Sequence, residues 1–148
     1  DMRKPTLHYT FRIDNGRGLS SLLVGGATKE EAIIQSDTEN LDLLTCGPIP
    51  PNPSELLGSN AMKIFLQDVS ASYDMIIFDA PPLLAVTDPQ ILANICDGVL
   101  MVVRSKKTEY DAAQKGKELL EQANAKLLGV VLNDQEKSSS NYYYYYGT

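Results

Sequence analysis

Cysteine and histidine are scarce. The chain has two cysteines, Cys46 and Cys96, which form no Cys-x-x-Cys pair, and a single histidine. That excludes a disulfide framework and a Cys/His metal centre, so the expectation is two buried thiols in a reducing cytoplasm. Long apolar runs are missing as well. The strongest stretches, such as residues 99–103, are strand-sized and well short of the roughly 18 consecutive apolar residues that a membrane helix needs. Positive charge is in the minority, 13 Lys and Arg against 19 Asp and Glu for a formal net charge of −6. Such a field repels nucleic acid and gives no general reason to approach an anionic membrane, so no nucleic-acid partner is expected. No signal-peptide pattern follows Asp1. The opening Asp1-Met2-Arg3-Lys4-Pro5 reads as a segment leaving a strand, because Pro5 biases Lys4 toward extended backbone; the strand itself is expected upstream.

What is present is 148 residues, 43% hydrophobic and 22% charged, enough for one ordinary domain with a core. Gly16, Gly18, Gly25 and Gly26 bracket a short apolar stretch, predicting a helix over 19–24 closed by a glycine stop. Thr28 and Glu31 have capping-box spacing, predicting a brief helix over 29–35. A strand over 41–45 leads into the breaker run Gly47-Pro48-Ile49-Pro50-Pro51-Asn52-Pro53 and helical material over 54–70. Three more apolar runs, 75–78 ending at Asp79, 99–103 ending at Arg104 and 127–132 ending at Asn133, lack period-two alternation, as strands covered on both faces do. Between them lie helices over 88–95, with Thr87 as cap and Pro89 in the first turn, and over 108–123, with Leu119 and Leu120 on the apolar stripe. This alternation predicts an α/β fold: a doubly wound, mostly parallel sheet with helices on both faces. Residues 1–134 make up the folded portion, and 135–148 a flexible tail in which a polar linker carries Tyr142, Tyr143, Tyr144, Tyr145 and Tyr146.

In such sheets ligands lie beyond the carboxyl ends of the strands, where Asp79, Arg104 and Asn133 fall. Asp79, stiffened by Pro81-Pro82, has the position of a carboxylate that holds a nucleotide-bound magnesium through water, and equally that of a cap on the next turn. Asp1 and Arg3 read either as part of that site or as a solvated surface pair. Asn133 suits a purine edge or a turn, and Arg104 the rim of the same site or plain solvent. The tyrosine run cannot be one helix face, since consecutive residues point in different directions. It is either a sticky tail or added edge strand, or a set of phosphorylation acceptors.

In combination these segments resemble the catalytic domain of the bacterial tyrosine kinases that accompany capsule and exopolysaccharide synthesis. Asp1-Met2-Arg3 matches the end of that family's Walker A′ motif, with Asp1 at its second acidic position. Gly18-Leu19-Ser20, the run from Gly47 through Pro53-Ser54-Glu55-Leu56-Leu57, the Walker B segment Ile76-Ile77-Phe78-Asp79-Ala80-Pro81-Pro82, Val102-Val103-Arg104 with Thr108, Gly129-Val130-Val131-Leu132-Asn133 and the closing tyrosines follow in family order over essentially the whole chain. The resemblance implies a P-loop NTPase-like fold of the deviant Walker A, MinD type. It implies ATP and Mg2+ as cofactors, Asp1 and Asp79 as catalytic and metal-holding residues, Arg3, Arg104 and Asn133 around the nucleotide, and Tyr142 to Tyr146 as phosphoacceptors used in trans. It also implies a homo-oligomeric ring built by tails in neighbouring sites, a membrane-embedded activator that modulates chain length, a tyrosine phosphatase, and polysaccharide-pathway enzymes as substrates. The implied location is cytoplasmic, peripheral at the inner face of the cell membrane.

One departure stands out. The chain contains no Gly-Lys-Ser or Gly-Lys-Thr, so the phosphate-cradling loop and the first acid of Walker A′ are absent. The expectation is the carboxyl-terminal portion of such a kinase, inactive alone. Two rivals remain. A partitioning or septum-positioning ATPase switch has the Walker elements without five terminal tyrosines, and a non-catalytic module docks its tyrosine tail to a partner.

Overall fold

A computed structural model describes residues 1–136. The tyrosine tail lies outside the described residues. In chain order the elements are α1 (Leu7–Phe11), α2 (Leu19–Leu23), α3 (Lys29–Ala32), β1 (Ile33–Gln35), β2 (Asp42–Leu44), α4 (Pro53–Leu57), α5 (Asn60–Ser70), α6 (Asp88–Ile95), β3 (Val99–Arg104), α7 (Tyr110–Gln122) and β4 (Leu127–Asn133).

The fold is α/β. β3 and β4 pair in parallel across the α7 crossover, with Arg104 opposite Asn133 at the far end, while β1 and β2 form a short antiparallel pair. Where α7 crosses the sheet, Gly116 lies against Met101 and Leu83, so α7 covers the Met101 side. Along the opposite face Leu100 and Val102 are more than half exposed, as is Val130 beside Met101, so among the described residues β3 and β4 are not covered on both faces as expected. The core sits between the helices: Met2, Leu19, Leu23, Cys46, Leu57, Met62, Phe65, Val69 and Leu92 are buried together, with Phe78, Leu44 and Ile91 against them.

Several expectations hold. The Thr28/Glu31 capping box forms, with the Thr28 hydroxyl accepting from Glu31 N–H and the Glu31 carboxylate accepting from Thr28 N–H. α2 stops before Gly25, whose φ of +75° is one that L side chains rarely adopt. Others are corrected. The helix expected over 29–35 ends at Ala32, because Ile33 and Ile34 pair with Leu44 and Leu43 as strand; β-branched residues with a partner in reach prefer that arrangement. The helix expected over 54–70 is two helices broken at Gly58, since the Ser59 hydroxyl accepts from Met62 N–H and starts a new one. Thr108 does not begin α7; its hydroxyl accepts from Arg104 N–H and closes the turn after β3. Residues 75–78 run without ladder partners among the described residues, because β3 pairs only with β4 and β2 only with β1. Met75 and Ile77 are 75% and 83% exposed as a result. Cys46 is buried, whereas Cys96 is only half-buried.

Candidate active site

The segment at Asp1 and the segment at Asp79 meet directly: the terminal amino group of Asp1 donates to the Asp79 carbonyl at 2.8 Å. The Asp1 carboxylate is turned back on its own chain, where Oδ1 accepts from Arg3 N at 2.8 Å and from Lys4 N at 3.1 Å. These two bonds fix the carboxylate by an Asx-type turn and leave Oδ2 without a protein partner among the described residues. Asp79 follows the half-buried Phe78, is exposed, and precedes Pro81-Pro82, so its side chain stands free on a stiff, anchored backbone.

The Arg3 guanidinium binds a different acid. Its Nε and Nη2 donate to the two oxygens of Asp88 at 2.9 and 2.8 Å, a bidentate fork on a residue that is fully buried at the start of α6. The Ser54 hydroxyl of α4 donates to Asp88 Oδ1 at 2.6 Å, accepts from Arg3 Nη2 at 3.1 Å, and lies 3.1 Å from the Thr87 hydroxyl. Burial pushes the Asp88 carboxyl up, but the hydrogen bonds from Arg3 and Ser54 outweigh it and hold the group below its ordinary range. The same Asp88 bond raises the Arg3 guanidinium.

Arg104 and Asn133 end adjacent strands and are register partners. The Arg104 guanidinium engages Asp134, with Nε to Oδ2 at 2.9 Å, and Lys106 engages Glu136. The Asn133 carbonyl accepts from Ser105 N–H, and its side chain is exposed. The structure thus gathers Asp1, Arg3 and Asp79 in one place and sets Arg104 beside Asn133. Asp88, Ser54 and Thr87 were missed as site residues: Asp88 reads in sequence as an ordinary first-turn acid, and nothing in its spacing points to an arginine 85 positions away.

No group of three or more His, Cys, Asp or Glu able to hold a metal occurs among the described residues. The exposed Asp79 carboxylate, on a backbone tied to Asp1, fits a magnesium ion that keeps most of its waters and shares a nucleotide's phosphates.

No family model matches the chain. It is 49% identical over 136 residues to the tyrosine-protein kinase YwqD of Bacillus subtilis, covering 92% of this chain and 57% of that protein. It is 43% identical over 133 residues to the putative tyrosine-protein kinase CapB of Staphylococcus aureus, covering 90% of this chain and 58% of that one. Among solved structures, the chimerical protein CapA2B2 superposes with a TM-score of 0.90 at 48% identity, over 93% of this chain and 61% of that chain. The kinase domain of VpsO superposes with a TM-score of 0.87 at 33% identity, over 92% of this chain and 68% of that chain. The chain therefore belongs to the bacterial tyrosine-protein kinases, and its α/β fold is that of their kinase domains. It spans a little over half the length of these two curated relatives.

Proposed function

We propose that the intact protein is an ATP- and magnesium-dependent tyrosine autokinase that regulates capsular or extracellular polysaccharide synthesis, and that this chain is its carboxyl-terminal portion. The phosphate-cradling loop then belongs to a preceding segment, and in the completed domain the sheet is doubly wound in the P-loop manner. The observation that supports this reading is that the Asp1 and Asp79 segments lie against each other, which brings the two motif acids to one place, Asp79 just ahead of the stiff Pro81-Pro82.

Magnesium, when bound, neutralises charge on the transferring phosphoryl group. Asp79 holds the metal's water shell from its anchored position. Asp1, with Oδ1 fixed by two backbone N–H groups, keeps Oδ2 available to accept the proton of an incoming tyrosine hydroxyl. Phosphoryl transfer needs little covalent help, so positioning and charge neutralisation supply most of the rate. Asn133 meets the adenine edge. Arg104, engaged with Asp134, lies on the nucleotide rim at the root of the tail.

The acceptors are Tyr142, Tyr143, Tyr144, Tyr145 and Tyr146. A linker from Asp134 to Asn141 extends at most about 25 Å, which favours delivery to a neighbour's site over folding back. Unmodified tails joined to neighbouring sites close the protomers into a ring, and about −1.5 to −2 charge per phosphate added beside Asp1 and Asp79 opens it. A membrane-embedded activator, a tyrosine phosphatase and polysaccharide-pathway enzymes are the proposed partners, and the site of action is the inner face of the cell membrane. Without the phosphate loop, the 148-residue chain binds no MgATP measurably by calorimetry.

Mixing two full-length variants tests the trans reaction. One has residues 142–146 changed to Phe and keeps its acids; the other is Asp79→Ala and keeps its tyrosines. Phosphotyrosine is expected on the second protein only when the first is present. Its absence from the mixture, with the wild type active, refutes transfer between copies.

A further inference from the structure

The hydrogen bonds around Arg3 form one continuous chain that ends on a catalytic candidate. Asp88 is fully buried and fixed by Ser54 from α4, and it takes both donors of the Arg3 fork. The Arg3 backbone N–H, two bonds from the Cβ of that anchored side chain, donates to Asp1 Oδ1, and Lys4 N–H beside it donates to the same oxygen. Asp1 N is tied in turn to the Asp79 carbonyl.

A bidentate guanidinium–carboxylate fork has fixed geometry, so an arginine held this way fixes the backbone that bears it. The Asp88 side chain is 1% exposed and that of Arg3 38%, so the acid end of the fork is rooted in the protein interior while the guanidinium lies at the surface. Nε and Nη2 of Arg3 are committed to Asp88 and Ser54.

We infer that Asp88, Ser54 and Arg3 form a positioning clamp that sets the rotamer of the Asp1 carboxylate, so that the start of α6 and the start of α4 govern phosphoryl transfer without touching substrate. This rests on the proposed role of Asp1 as the group that receives the tyrosine proton. Loosening the clamp displaces Oδ2 by a fraction of an ångström to an ångström, and a misplacement of about 1 Å lowers turnover by up to about 10²-fold. Substrate affinity does not depend on Oδ2 and stays unchanged. The clamp also ties both helices to the same oxygen, so a contact that shifts α4 or α6 alters turnover through Asp1.

The test uses the full-length protein and its phosphotyrosine formation, with kcat and the KM for ATP measured separately. Asp88→Asn, Ser54→Ala and Arg3→Lys are compared with Asp1→Asn and with the double variant Asp1→Asn/Asp88→Asn. Asp88→Asn is expected to lower kcat by about 10- to 100-fold with KM for ATP within twofold, Ser54→Ala and Arg3→Lys by less. In the Asp1→Asn background, Asp88→Asn is expected to cost nothing further, because the clamp acts only through Asp1. A purely structural role gives the same loss in both backgrounds and overturns the inference. Should Asp88→Asn not fold, Ser54→Ala and Arg3→Lys decide it: a kcat equal to wild type in both refutes the clamp. An inactive Asp1→Asn beside a fully active Asp88→Asn refutes the clamp alone, whereas a fully active Asp1→Asn refutes the reading of Asp1 on which it rests.

Discussion

Three glycine-to-alanine changes, identical in chemistry, are expected to have three different outcomes. A Cβ on Gly18 would lie 2.3 Å from Gly47 N, 2.6 Å from the Thr45 carbonyl oxygen and 2.7 Å from the Cys46 carbonyl carbon, all backbone atoms that cannot swing aside. Relief requires that the segment before α2 move away from the segment after β2. Leu19 N–H to the Thr45 carbonyl, Ser20 N–H to the Cys46 carbonyl, and the paired bonds of the Asn15 amide with Gly47 N–H and C=O all cross that contact. At about 0.5–1.5 kcal/mol net for each bond, losing all four costs about 2–6 kcal/mol. Gly25→Ala meets no atom within 4 Å but sits at φ +75°, so it costs only the left-handed penalty of about 1–2 kcal/mol. Gly129→Ala, in open space within β4, changes stability by less than about 0.5 kcal/mol. Chemical denaturation of the three full-length variants measures all of this. A Gly18→Ala protein within 1 kcal/mol of wild type would refute the close approach of the two segments.

Met62 has no exposed surface at the centre of the core, so Met62→Ala is expected to destabilise by about 2–5 kcal/mol in the same denaturation series; a loss below 1 kcal/mol would contradict its placement. Asp88 has a folded-state pKa below its unfolded one, so it contributes stability above the ordinary carboxylate value of about 4 and loses it as pH falls through the lower folded value. Melting temperature against pH is therefore expected to drop more steeply on the acid side in wild type than in Asp88→Asn. Equal slopes would remove Asp88 from the acid response. Burial pushes the Cys46 thiol up, so at pH 8 it is expected to react with an alkylating reagent far more slowly than free cysteine; rapid modification of folded protein would contradict its burial.

Local signals were legible where one segment decides its own structure. The Thr28/Glu31 box, the glycine stop after α2 and the Pro89 start of α6 depend on neighbours within a turn, and all three appear. What depended on distant partners was not. Ile33 and Ile34 look helical after a capping box and become strand only because Leu43 and Leu44 return beside them. The run 75–78 has a strand's composition, but composition cannot supply a ladder. At the site, the sequence singled out Asp1, Arg3 and Asp79 by motif, yet the Arg3 partner stayed hidden because a buried acid in a first turn looks like any helix-starting acid. Ser54 was equally silent: a small hydroxyl inside a proline-rich run carries no mark of the carboxylate it holds.

The central claim is that the acid at the end of the 75–79 segment serves phosphoryl transfer to tyrosine rather than the fold. Phosphotyrosine formed by the full-length protein in MgATP, wild type beside Asp79→Ala, tests it most directly. Asp79 is exposed and its side chain holds no other element of the described residues, so the variant is expected to melt as wild type does. Its phosphotyrosine yield is expected to fall to background, because the magnesium shell loses its holder. A variant that still forms phosphotyrosine at a near-normal rate would contradict the account.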